Sequence, residues 1–132
     1  MSGARRVGVL GLARSGRAAA ELALSTGARV YASDAGDAPV LREAAEAVRG
    51  AGGEAEVGTH SVERLASCDL LVVSPGIPPT APVLSDPRLR GIRRVSELEF
   101  AFTHLSSPVV AITGTNGKTT TAALAAHLLA RA

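Results

Sequence analysis

The sequence predicts an α/β fold: a Rossmann-like parallel sheet with flanking helices, followed by the first strand, phosphate-binding loop and helix of a second, truncated domain. Three observations carry this reading. Short apolar runs alternate with longer stretches of helical pattern, which implies right-handed βαβ crossovers and a parallel sheet. A glycine-rich turn, Gly11 to Gly16, separates the first apolar run from the first helical stretch. Another, Gly114 to Thr120, does the same near the end of the chain.

Taken in order, Arg6 to Gly11 reads as a buried strand. Ser15 to Ser25 reads as a helix with Leu22 and Ala19 or Ala23 on one face and Gly27 as its stop. Ala28 to Ala32 is a second strand. Pro39 to Arg49 is a second helix, ended by Gly50, Gly52 and Gly53. Glu54 to Val57 is a short strand, and Val62 to Ala66 a helical turn. Asp69 to Ser74 is a continuous leucine and β-branched run, the pattern of a strand buried on both faces. Five prolines from Pro75 to Pro87 then exclude regular sheet. Ile92 to Val95 adds a last strand. Ser96 with Glu99 has capping-box spacing and starts a helix. Pro108 begins a new unit, with a strand over Val109 to Thr113 and a helix over Lys118 to Ala130. The expected organisation is a first domain over 1–95, a linker helix over 96–107 and the start of a second domain over 108–132. One strand and one helix cannot bury their apolar faces alone. The final segment is therefore expected to belong to a domain whose remainder lies outside these residues.

The 132 residues suit one ordinary domain, and 46% hydrophobic with 20% charged residues is the composition of a folded protein. Aromatics are only 2% (Tyr31, Phe100 and Phe102), so the core must come from Ala, Val, Leu and Ile. Few rings remain to stack on bases, and the net charge of +2 is too small to attract a nucleic acid. No nucleic-acid partner is expected. Arg88, Arg90, Arg93 and Arg94 form the densest basic stretch, read as solvated surface or as an attractor of a polyanionic substrate. Cys68 stands alone and reads as a small, half-buried residue in a reducing compartment. No apolar run is long enough for a signal core or a membrane span. A cytoplasmic protein without a membrane partner is expected.

Gly11-Leu12-Ala13-Arg14-Ser15-Gly16 fits G-x-G-x-x-G with Ala13 in the middle glycine's place. Such a turn brings a phosphate to a helix N-terminus, where N–H groups and the helix dipole hold negative charge. An alanine at the middle position should push a pyrophosphate back. Asp34 ends the second strand, where a Rossmann acid meets ribose, or is a plain turn residue. The motif leaves a dinucleotide and another nucleotide-type ligand both open.

Gly114-Thr115-Asn116-Gly117-Lys118-Thr119-Thr120 is the sharper signal. A glycine-rich turn points successive N–H groups inward as an anion nest. Lys118 supplies a charge for the β- and γ-phosphates, and the Thr119 hydroxyl suits a Mg²⁺ shell. The loop is two residues tighter than G-x-x-x-x-G-K-[ST], because Ile112 stands where that pattern has its first glycine.

Gly-Thr-Asn-Gly-Lys-Thr resembles the ATP loop of the Mur ligase superfamily. Upstream, Gly11 to Gly16, Ser74-Pro75-Gly76-Ile77-Pro78 and Ser96-Glu97-Leu98-Glu99-Phe100 fall in the order and spacing of its D-glutamate-adding branch. The likeness covers essentially the whole chain. It implies that the first domain binds the uridine diphosphate end of UDP-N-acetylmuramoyl-L-alanine. Arg14, Ser15 and Gly16 would hold diphosphate, Asp34 would contact uridine, and Gly76 would let backbone approach uracil. Gly114, Thr115, Asn116, Gly117, Lys118, Thr119 and Thr120 would bind ATP, with Lys118 catalytic and Thr119 on Mg²⁺. The implied reaction is ATP-dependent amide formation in peptidoglycan precursor synthesis, through an acyl phosphate that the amine of D-glutamate displaces. Further magnesium ligands, a modified lysine and the site for D-glutamate would lie beyond residue 132. The fragment is therefore expected to bind UDP-sugar as a monomer without catalysing ligation.

His60, His104 and His127 have no ligand spacing. Glu97 and Glu99 read as capping and surface charge, since positions two apart on a helix point to different faces. Phe100 and Phe102 are expected to dock the linker helix. Four alternatives remain: another Mur-superfamily ligase, an NAD-binding oxidoreductase domain, which leaves Lys118 unexplained, a switch-type P-loop NTPase, and a ligand-binding module without turnover.

Overall fold

The computed structural model describes residues 4–131. Strands β1 (Arg6–Leu10), β2 (Arg29–Asp34), β3 (Glu54–Val57), β4 (Leu70–Val73) and β5 (Arg93–Ser96) form one parallel sheet in the order β3-β2-β1-β4-β5. Helices α1 (Arg14–Ser25), α2 (Pro39–Gly50) and α3 (Val62–Ala66) make the crossovers between the first four strands. Each expected element up to Ser96 is present, with ends moved by one or two residues. The proline-rich stretch holds the single turn α4 (Pro82–Ser85) and a 3₁₀ turn over Pro87–Leu89.

The alternation of the strands sorts the core into two layers. Val7, Val9, Val30, Ala32, Leu70 and Val72 face α1 and α2 and meet Ala20, Ala23, Ala45 and Val48. Leu10, Tyr31 and Leu71 face the other way, against Leu65, Leu84 and Leu89. The small helix residues let α1 lie close on the sheet, as the alanine-rich composition predicts. Cys68 is buried rather than half-buried, and burial pushes its thiol up to about 11.

Ser96 accepts from the Glu99 N–H at 3.0 Å, so the capping box forms and opens α5 (Glu97–Phe102). That helix is shorter than the expected linker: it ends at Phe102, where Thr103 and His104 turn back onto the Phe100 carbonyl. Phe100 is buried and docks α5 on α1, but Phe102 is exposed.

After α5 the structure departs from expectation. Val109 to Thr113 is not a strand. A strand needs a hydrogen-bonding neighbour, and none of the five pairs with this segment. The helix is present as α6 (Lys118–Leu129), yet none of its residues is buried, and Leu124, Leu128 and Leu129 are exposed.

Gly16 is where packing leaves least room. A Cβ there would stand 1.9 Å from the Gly11 carbonyl oxygen, so α1 would have to shift. Gly16→Ala is expected to destabilise the fold by about 1–3 kcal/mol in urea denaturation. Gly50→Ala, whose Cβ meets nothing within 4 Å, is the control, expected within about 0.5 kcal/mol of wild type. Equal midpoints for the two variants would refute the packing argument. Helices this short are marginal without tertiary contacts, the limit being roughly 12–15 residues. Amide exchange should therefore be fast across α6 and slow across α1. Matched protection of the two helices would show that α6 has a packing partner.

Candidate functional site

The chain leaves β1 through α1 toward β2 on one side, while β4 flanks β1 on the other. Open α/β sheets bind ligands at such a switch point, beyond the carboxyl ends of the strands. Here those ends are Gly11 and Ser74. Gly11 has φ +95°, in the left-handed region, and a Cβ on it would lie 2.5 Å from Ser74 Oγ. Its N–H donates to the Ser33 carbonyl at 2.8 Å, which fixes the turn out of β1.

Ala13 caps α1 in an extended conformation with no side-chain bond to the helix. The first helical bond runs from the Arg17 N–H to the Ala13 carbonyl at 3.0 Å. The N–H groups of Arg14, Ser15 and Gly16 therefore stand at the positive end of a 12-residue helix without a side-chain acceptor. Arg14 and Ser15 are exposed, and Gly16 is buried beneath them. Arg17 pairs with Glu21 at 2.8 Å, whereas Arg14 has no ion pair among the described residues.

Asp34 stitches the turn to β2. Its Oδ2 accepts from the Leu12 N–H and its Oδ1 from the Gly36 N–H, both at 2.8 Å. The same residue lines a cleft of about 460 Å³, with Gly76, Ile77 and Pro78 on the loop after β4 and Pro82 at the start of α4. That size falls within the roughly 300–1,000 Å³ of small-ligand pockets. A Cβ on Gly76 would meet nothing, so the backbone here faces open space. The structure thus brings Asp34 and Gly76 to one cleft, and the Leu12–Asp34 bond joins that cleft to the turn leading into α1.

His60 also lines this cleft, which its isolated position in the sequence gave no reason to expect. Its Nδ1 lies 2.8 Å from Oγ of Ser33, a fully buried residue. Burial pushes the His60 pKa below its ordinary value, with the Asp34 carboxylate opposing. Glu97 is the other correction. It is a partner of the Ser74 hydroxyl at the crevice rather than a surface charge, whereas Glu99 does pair outward with Arg93 at 3.1 Å. The basic stretch is solvated surface. Arg88 pairs with Asp86 at 2.8 Å, Arg94 donates to the Leu84 carbonyl at 2.8 Å, and Arg90 is exposed.

The second glycine turn stands apart. Gly114 and Gly117 have φ +150° and +76°, conformations that favour glycine. Gly117 caps α6 without a side-chain bond, and Lys118 turns its ammonium onto the Gly114 carbonyl. Thr115, Asn116, Thr119 and Thr120 are exposed around it. None of Gly114 to Thr120 lines the cleft or the grooves beside α1.

Known proteins place this arrangement. A family model described as the N-terminal domain of MurD-like Mur ligases matches residues 5–96. The UDP-N-acetylmuramoylalanine--D-glutamate ligase of Chlorobaculum parvum is 50% identical over 118 residues, 89% of this chain and 25% of the relative. That of Desulfatibacillum aliphaticivorans is 37% identical over 125 residues, 95% of this chain and 28% of the relative. The chain therefore spans about a quarter of the length of the curated relatives it matches. Among solved structures, a murein peptide ligase from Psychrobacter arcticus superposes with a TM-score of 0.68 at 28% identity, over 89% of this chain and 24% of that one. A pseudomurein peptide ligase type C from Methanothermus fervidus gives 0.62 at 26%, with the same coverage. From the crevice at Gly11 and Ser74 to the last strand of the sheet, this chain belongs to the MurD-like family of Mur ligase N-terminal domains.

Proposed function

We propose that the crevice binds the uridine diphosphate end of UDP-N-acetylmuramoyl-L-alanine, as the N-terminal part of an ATP-dependent ligase that adds D-glutamate to it in peptidoglycan synthesis. The observation that carries this reading is the Leu12–Asp34 hydrogen bond. It sets an uncapped helix N-terminus beside a cleft with one apolar wall, the pairing that a diphosphate joined to a base requires. The N–H groups of Arg14, Ser15 and Gly16 take the diphosphate, with the unpaired Arg14 adding charge. Asp34 and the Gly76 backbone meet the uridine. The named activity of the relatives supports the same substrate.

On this reading residues 1–95 are the UDP-binding domain, 96–107 the link, and 108–132 the start of an ATP-binding domain. The turn Gly114 to Thr120 fits a phosphate: two glycines supply the backbone conformation and α6 offers an uncapped N-terminus. Lys118 would exchange the Gly114 carbonyl for the β- and γ-phosphates, and Thr119 would hold Mg²⁺. ATP supplies the phosphoryl group that activates the substrate carboxylate. No described helix is long and apolar enough to cross a membrane. We assign the protein to the cytoplasm, as a monomer.

Calorimetric titration of the chain with UDP-N-acetylmuramoyl-L-alanine, UDP, NAD⁺ and Mg-ATP tests this. The two uridine ligands should bind and NAD⁺ should not. Mg-ATP should bind weakly, because no wall surrounds the second glycine turn. Binding of NAD⁺ with both uridine ligands silent would overturn the proposal and return the crevice to a dinucleotide.

A further inference from the structure

We infer that Glu97 is a specificity-determining residue of the crevice: its carboxylate opposes anions at the positive end of α1, so that a bare polyphosphate is held poorly and a ligand must also engage the Asp34–Gly76 cleft. The inference rests on the diphosphate reading above and adds the residue that limits it.

The turn into α1 is by itself an indiscriminate anion trap. Its first N–H groups lack a side-chain acceptor, and Arg14 has no ion pair among the described residues. Any phosphate or pyrophosphate is attracted there, with or without a base.

One negative group stands against this. Glu97 opens α5, yet its side chain reaches the turn of α1. Its Oε1 would lie 3.3 Å from a Cβ on Gly16, and Glu97 shares the groove between α1 and α5 with Ser15. Ser15 and Gly16 are two of the three residues whose N–H groups are assigned to the diphosphate. Glu97 is half-buried, and no cationic side chain pairs with it among the described residues. The helix N-termini of α5 and α1 are left to hold its charge.

The bond to Ser74 does not account for that charge. Ser74 Oγ donates to Glu97 Oε1. The amide oxygen of a glutamine in the same place accepts the same proton. What a carboxylate adds is a full negative charge beside the first N–H groups of α1. Like charges in one site disfavour each other, so a phosphate bound here gains less than at a helix N-terminus without such a neighbour. A ligand that also fills the cleft recovers the loss through its base and ribose. A free polyphosphate has no such contacts. Placed repulsion against the wrong ligand is a general route to specificity.

The test measures UDP and inorganic pyrophosphate on the full chain by calorimetry, for wild type, Glu97→Gln, Glu97→Ala and Glu99→Gln, with the thermal midpoint of each empty chain. Glu97→Gln should tighten UDP by about 3–10-fold. Pyrophosphate should tighten by at least as much, because it carries more charge and binds by charge alone. The thermal midpoint should not rise, since a favourable charge at two helix N-termini is lost. A residue that only braced the fold would lower affinity and midpoint together. Glu97→Ala should move both ligands in the same direction and serves where the glutamine variant unfolds. Glu99→Gln removes a charge that pairs outward with Arg93 and should leave both ligands nearly unchanged. Unchanged or weakened binding in the Glu97 variants, or equal tightening in Glu99→Gln, would overturn the role of Glu97 while leaving UDP binding intact. Failure of wild type to bind UDP would instead overturn the diphosphate reading, and this inference with it.

Discussion

The approach of α1 to the turn after β1 governs the geometry at the top of the sheet. Gly16 has no side chain, and the space a methyl group would need is filled by the Gly11 carbonyl. Gly11 in turn has no side chain, and its missing methyl group is replaced by Ser74. Two absent Cβ atoms therefore bring the helix N-terminus, the end of β1 and the end of β4 into contact. The N–H groups of the first turn of α1 then stand at the switch point rather than beside it. Two hydrogen bonds hold the contact from opposite sides. Asp34 takes the Leu12 N–H from the β2 side, and Glu97 takes the Ser74 hydroxyl from the α5 side. The crevice is thus built from backbone geometry first and from side-chain chemistry second, which is why short residues dominate its walls.

Much of this fold was legible in the sequence. The run of Leu70 to Val73 reads as a buried parallel strand, because it is continuous, too short for a helix and bounded by polar and turn residues. Gly11 to Gly16 was readable because its spacing encodes the two close approaches just described. Asp34 was readable from its place at the end of the second strand and Gly76 only through the family resemblance, and their meeting at one cleft depends on β2 and β4 flanking β1, a property of the whole sheet. His60 was illegible. It sits on a loop without periodicity, and its partner Ser33 is 27 positions away, across the α2 crossover. Glu97 misled for a related reason. Helical spacing says which way a residue points around its own axis, but not that the Ser74 hydroxyl waits there.

The strand expected over Val109 to Thr113 failed on the same ground. Five apolar or β-branched residues describe what a strand needs from its own side chains and nothing of what it needs from a neighbour. Leu70 to Val73 finds β1 on one side and β5 on the other. Val109 to Thr113 finds neither, and Val109 and Val110 remain exposed. Composition predicts the wish to be buried, and topology decides whether it is met.

The two glycine turns make the point at the level of function. Both present an uncapped helix N-terminus of 12 residues, and both use glycine where the backbone turns left-handed. Judged by motif, the second is the stronger, because Gly-Lys-Thr at the start of a helix is the sharper phosphate signal. Judged by support, the order reverses. Behind the first turn, Ala19, Ala20 and Ala23 anchor α1 on the sheet, so the N–H groups keep their places without a ligand. Behind the second, α6 buries nothing, and Lys118 satisfies itself on the loop's own carbonyl. A phosphate arriving there must break that contact and order the loop, and both offset the attraction it gains. Binding strength at a helix N-terminus therefore follows from how firmly the helix is held as much as from the residues that line it. In this chain the firmly held one is α1.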